Sequence, residues 1–148
     1  MKKATLDVLA SIAQREWDEA AAALAAAQAQ LVEHDAMLTQ MDDHLVRTDH
    51  HLENASMTVG QFQNWRAHQE NLAARRIEFN GARPFLEERV SDARDVLREK
   101  TIAREKWKML DKQRIAQEQV LANKREQKET DELNNAKAAR RRPAVEEE

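Results

Sequence analysis

The chain has 148 residues, with charged side chains at 34%, two Gly, two Pro, and neither Cys nor Tyr. Such a polar, helix-rich composition leaves little scope for sheets or tight hairpins, and without cysteine there are no disulfides or thiolate metal sites. The net charge of −3 is unevenly divided: ten acidic and four basic residues precede Gly60 (−6), twenty basic and fourteen acidic run from Gln61 to Arg142 (+6), and Glu146 to Glu148 add −3.

The first predicted element is a helix over about residues 5–54. Ala10, Trp17, Leu24, Leu31, Leu38, Leu45 and Leu52 recur every seven residues. Leu6, Ala13, Ala20, Ala27, His34, Met41 and Thr48 fill the alternate position, which completes the two seam positions of a coiled coil. The many Ala residues let a partner backbone come close. At about 1.5 Å per residue the helix is on the order of 75 Å long, too long to wrap a compact core, so it needs a partner along its length.

The pattern breaks at about 55–60, where Asn54 to Gly60 bring cap-forming side chains, β-branched residues and a glycine; Ser56 or Thr58 is suited to cap a second helix. That helix is predicted over about 61–139. Its seam carries Trp65, Leu72, Phe79, Leu86 and Ala93 at heptad spacing, with Phe62, Val90 and Leu97 alongside. Two heptad helices joined by one turn predict an all-α fold, a long antiparallel two-helix coiled-coil hairpin with the second helix the longer. The opposite charges of the halves favour this pairing, although exposed pairs contribute only about 0 to 1 kcal/mol each.

Antiparallel partners have residue numbers with a constant sum, and a sum near 117 sets large residues against complementary ones. It places Leu52 by Trp65, Leu45 by Leu72, Leu38 by Phe79 and Leu31 by Leu86, with Ala27 against Val90 and Ala20 against Leu97. In this register His34 faces Arg83 as a polar layer. Pro84 removes the amide that would bond Asn80 and clashes with that carbonyl, at a cost of about 3 kcal/mol. Because Phe79 and Leu86 stay in phase, a kink near Gly81–Pro84 is favoured over a corner that would give a three-helix bundle.

Pairing is expected as far as about Leu110, leaving Asp111 to about Ala139 as a polar overhang. Its few large apolar residues are Ile115, Val120, Leu121 and Leu133, the composition of a segment that orders inside another protein. The first 140 residues read as one elongated unit, and 141–148 as a disordered tail.

Little here carries chemistry. No glycine-rich loop exists to cradle phosphate, and the three Ser and scattered carboxylates form no catalytic constellation, so no enzyme and no cofactor are expected. His44 and His51 lie about 10 Å apart along a helix, too far to share an ion, so these and His50 read as surface residues. Lys124, Arg125, Lys128, Lys137 and Arg140–Arg142 are interleaved with Glu126, Glu129, Asp131 and Glu132, which argues against a nucleic-acid arm. No apolar run approaches the roughly 18 residues of a membrane span, and Met1-Lys2-Lys3 leads into an amphipathic segment, not a signal-peptide core. A cytoplasmic location is the expectation, with any membrane association through partners.

Trp107, Leu110, Asn123, Gln127-Lys128, Asp131-Glu132 and Leu133, followed by an Ala/Arg-rich stretch before Pro143, resemble the C-terminal run of the bacterial flagellar export protein family FliJ. Leu6, Leu9-Ala10, Ala13, Glu16, Asp18 and Ala20 resemble that family's opening. The virulence type III secretion counterparts, the YscO/HrpO group, have the same role; a general coiled-coil chaperone or adaptor is the alternative.

The resemblance implies a hairpin similar to the rotor shaft of rotary ATPases. Its paired helix termini would enter the pore of a hexameric export ATPase, its body would reach the membrane export gate, and it would handle export chaperones. It further implies an ATPase-facing end at Gln127, Lys128, Asp131 and Glu132, with Trp107 and Leu110 packing at the root of the shaft. A gate-contacting face would fall on Phe62, Trp65, His68 and Leu72, where His68 departs from the aromatic type expected.

Overall fold

The computed structural model describes residues 2–54 and 56–141. Three helical segments come one after another: α1 (Lys3–Asn54), α2 (Val59–Gly81) and α3 (Arg83–Arg141). Only Ala82 separates α2 from α3, so the two form one long second helix, bent by 23°, that runs back along α1. There are no strands among the described residues, and the fold is the expected antiparallel two-helix hairpin. Most of the expected disordered tail lies outside the described residues, but Arg141 is the last residue of α3.

Of the two candidate caps after the turn, Thr58 is the one used. Its hydroxyl accepts from the Gln61 amide (3.2 Å), and the Gln61 side chain accepts from the Thr58 amide (3.1 Å), a reciprocal capping box that satisfies two amides at the start of α2. At the bend, no described residue takes a left-handed φ, glycines included. No glycine-only conformation is needed for the bend, which falls where Pro84 lacks an amide. Pro84 stands in the first turn of α3, where a missing amide is tolerated.

The core is a single line. Leu6, Ala13, Ala20, Ala27 and His34 are buried at heptad spacing, joined by Leu38 from the other seam position of α1 and by Val90 from α3. Three of the buried α1 residues are alanine, which fits a close approach of the two backbones. Trp17, Leu24, Leu31, Leu45 and Leu52 flank that line half-buried.

Cross-helix contacts confirm the register. Trp17 pairs with Thr101, Asp42 with Arg76 and Asp35 with Arg83, each with residue numbers totalling 118, while Glu16 and Lys100 total 116. The Trp17 indole N–H donates to the Thr101 hydroxyl at 3.0 Å, that hydroxyl donates to the Leu97 carbonyl, and the Arg104 guanidinium lies 4.0 Å above the indole ring. The result is a polar clamp across the seam.

One pairing differs from the sequence expectation. His34 does not face Arg83; its ring lies flat on Phe79, with centroids 4.1 Å apart, and Arg83 turns to the neighbouring carboxylate of Asp35. A guanidinium gains more from a bidentate carboxylate than from an imidazole, and the imidazole finds an aromatic face.

The two bidentate pairs link pH to stability. Hydrogen bonds from Arg83 and Arg76 hold the Asp35 and Asp42 carboxyls below their ordinary value of 3.8, against the opposing effect of desolvation. A carboxyl with a depressed folded pKa contributes stability above its unfolded value and loses it as pH falls through the folded one. Thermal melts from about pH 5 down to about pH 2 should therefore show a fall beginning below about pH 4, and a shallower fall in the Asp35→Asn/Asp42→Asn double variant. Identical acid slopes would mean that the pairs contribute nothing.

Candidate functional site

The overhang begins where α1 runs out. Leu6 still packs at a cleft with Leu110, Gln113, Arg114 and Gln117, and the half-buried positions continue to Arg114, about one turn beyond the expected end at Leu110. Arg114 lies low against the helix, held by Asp111 (2.8 Å) and Glu118 (2.8 Å). From Ile115 onward every described residue is exposed. About 23 residues after Glu118 thus project as a lone helix of roughly 35 Å.

Gln127, Lys128, Asp131 and Glu132 all lie on this lone helix and are exposed. Four-residue spacing stacks Gln127 with Asp131 and Lys128 with Glu132, so the set covers one face about 140° wide. Among the described residues no hydrogen bond or ion pair engages any of the four. Lys128 and Glu132 continue the heptad positions that face α1 lower down. The seam side of the helix therefore emerges from the hairpin without a partner and with a polar surface.

Two of the overhang's apolar residues named from the sequence, Val120 and Leu121, gather into one feature at its root. Ala116, Gln117, Val120 and Leu121 line a shallow groove there, with Val120 and Leu121 more than half exposed (52% and 54%). The signal was an i, i+4 pairing (Ala116 with Val120, Gln117 with Leu121) inside an otherwise charged run. Trp107 and Leu110 are half-buried just below, at the end of the paired region.

The other end of the rod carries the second set. Phe62 and Trp65 touch, with ring centroids 5.8 Å apart, and His68 sits edge-on to His44 of α1 at 5.9 Å. His68 and Leu72 share a small depression with Asn71 and Arg75. The four split into two rows: Trp65 and Leu72 are half-buried in the seam, while Phe62 and His68 flank it in solvent. The buried indole N–H of Trp65 has no acceptor among the described residues. Sequence periodicity assigned Trp65 and Leu72 to the seam, and there they stand.

Among the described residues no group of His, Asp or Glu is placed to hold a metal ion. Among them, too, no helix is long and apolar enough to cross a membrane. What the geometry offers is two exposed ends, about 100 Å apart at the helical rise, joined by a rod.

These features define a class: an elongated, all-helical coiled-coil hairpin with both ends exposed. Residues 1–143 match the family described as Flagellar FliJ protein, and the chain belongs to that family. Membership makes it a component of the flagellar export apparatus. Searches of curated proteins and of solved structures find no match.

Proposed function

We propose that this chain is the non-enzymatic central stalk of the flagellar type III export apparatus. The α3 overhang enters the pore of a hexameric export ATPase and promotes assembly of the ring, and the α1–α2 turn end reaches the membrane export gate. The chain then works in the cytoplasm, peripheral to the inner membrane through its partners. The observation that carries this reading is the overhang itself. A lone polar helix with its seam face unmatched gains little by folding alone, and its order is best accounted for by a surface that encloses it.

Within the overhang, Gln127, Lys128, Asp131 and Glu132 are the proposed ring contacts; at the turn end, Phe62, Trp65, His68 and Leu72 are the proposed gate contacts. Changing the first four together to Ala should leave the melting temperature nearly unchanged, because they have no intramolecular partner to lose and Ala favours helix. The same variant should lose stimulation of ring assembly and ATP hydrolysis, since partner groups buried on binding would be left unpaired. Full stimulation by a well-folded quadruple variant would place the contact elsewhere.

A second reading is that of a coiled-coil adaptor holding helices of export chaperones. It draws on large apolar side chains left open on the outer side of α3, such as Ile102 (70% exposed) and Met109 (62%). Pull-down from the source cell separates the two: recovery of chaperones and substrates without ATPase would favour the adaptor.

A further inference from the structure

The bend in the second helix is gripped from across the seam. Pro84 has no amide to offer the Asn80 carbonyl, and the ladder tightens around the gap. Ala82 N–H reaches the Phe79 carbonyl, three residues back, at 3.2 Å, and Leu86 N–H resumes the four-residue pattern onto Ala82 at 3.2 Å. The Phe79 carbonyl receives a second bond, from another helix: His34 Nε2 lies 2.7 Å from it. A carbonyl only accepts, so Nε2 carries the proton, and in the neutral ring Nδ1 does not.

We propose that His34 is a cap for this bend, and that together with Asp35 it fixes the bend as a set angle of the rod. The two residues are consecutive on α1 and hold opposite sides of Pro84. His34 takes Phe79, in the last turn of α2, by its carbonyl and by ring stacking at an interplanar angle of 11°. Asp35 takes Arg83, the first residue of α3, with bonds of 2.9 and 3.3 Å. The other charged groups facing this place are Glu87, bound to Arg83, and the Asp42–Arg76 pair further toward the turn.

His34 is a poor choice if the seam needed only filling. It is 6% exposed, and its Nδ1 is buried without a hydrogen bond, the nearest Asp35 oxygen being 3.9 Å away. An apolar residue would avoid that orphaned atom. What a leucine could not do is donate to the carbonyl at the bend. The bond also survives protonation of the ring, because Nε2 is a donor in both forms.

The test uses the full chain and residue-resolved amide exchange, with His34→Leu and His34→Gln made in the native background and with Pro84→Ala. In the native chain, nitrogen–proton correlation of the imidazole should show the Nε2–H tautomer. His34→Leu should melt at the same temperature or higher, yet its amides from Ala82 to Leu86 should exchange about tenfold faster, as the loss of one net hydrogen bond implies. His34→Gln, which keeps a donor, should restore much of the protection. With Pro84→Ala the residue 84 amide can again bond the Asn80 carbonyl and the straightened ladder can bring the Arg83 amide to the Phe79 carbonyl, so His34→Leu should then change exchange at the bend little or not at all. An Nδ1–H tautomer, unchanged exchange in His34→Leu, or an equal increase in both backgrounds would overturn the proposal.

Discussion

Removal of residues 119–148 is expected to abolish stimulation of the export ATPase while leaving the hairpin's melting almost unchanged. The cut falls after the last residues that support α1: Leu6 keeps its neighbours Leu110, Gln113, Arg114 and Gln117, and Arg114 keeps both carboxylate partners. Everything removed is exposed or outside the described residues, so no buried area is lost. Gate binding by the turn end, around Phe62 and Leu72, should persist because the intervening seam is intact. Assaying ring assembly, ATP hydrolysis and gate binding with the same preparation tests the polarity of the rod. If the truncated protein still stimulated the ATPase fully, the turn end or the flank of the hairpin would be the ring contact.

Among the leucines on the Ala10–Leu52 seam position, the largest effect on stability should come from Leu38→Ala. Leu38 is 9% exposed, the most buried large side chain on its seam position, and it lies opposite the stretch that contains Phe79. Truncating a buried Leu costs about 2 to 5 kcal/mol; in a two-helix seam, which collapses more easily than a globular core, about 2 to 3 is expected. Leu31 is only half-buried, and Leu31→Ala should cost less. Chemical denaturation of both variants checks the order. Equal losses, or a larger one at Leu31, would contradict the burial pattern and with it the pairing.

The hairpin was legible because its determinants repeat. A seam position filled by Leu6, Ala13, Ala20 and Ala27 can pack in only one way over so long a stretch, and the residue sums of the cross-helix pairs come from it. The bend was legible from Pro84 for the same reason: a missing amide has a fixed local consequence. Sequence pattern sets His34 against Arg83, whereas its partner is the Phe79 backbone carbonyl beside the bend, a feature no side-chain pattern encodes. The clamp of Trp17, Thr101 and Arg104 escaped notice on similar grounds, since it depends on side chains reaching past the seam.

The ends are a different matter. Gln127, Lys128, Asp131 and Glu132 were picked out by resemblance, and they stand where a partner could reach them. Their chemistry is that of any solvated helix face, because the groups that would give it meaning belong to the partner. At the turn end, Phe62 is exposed enough to contact another surface, whereas Trp65 and Leu72 complete the seam, so packing alone already accounts for their periodicity.

The deepest burial at the seam lies in the half of the rod nearest the overhang. Leu6, Ala13, Ala20 and Ala27 lie there, and α2, at the other end, has no buried residue at all. Close backbones resist sliding and twisting past one another, while loosely packed ones yield. The two halves should therefore differ in stiffness: the half nearest the overhang, packed closely on alanine, resists bending, and the half beyond the bend yields more readily.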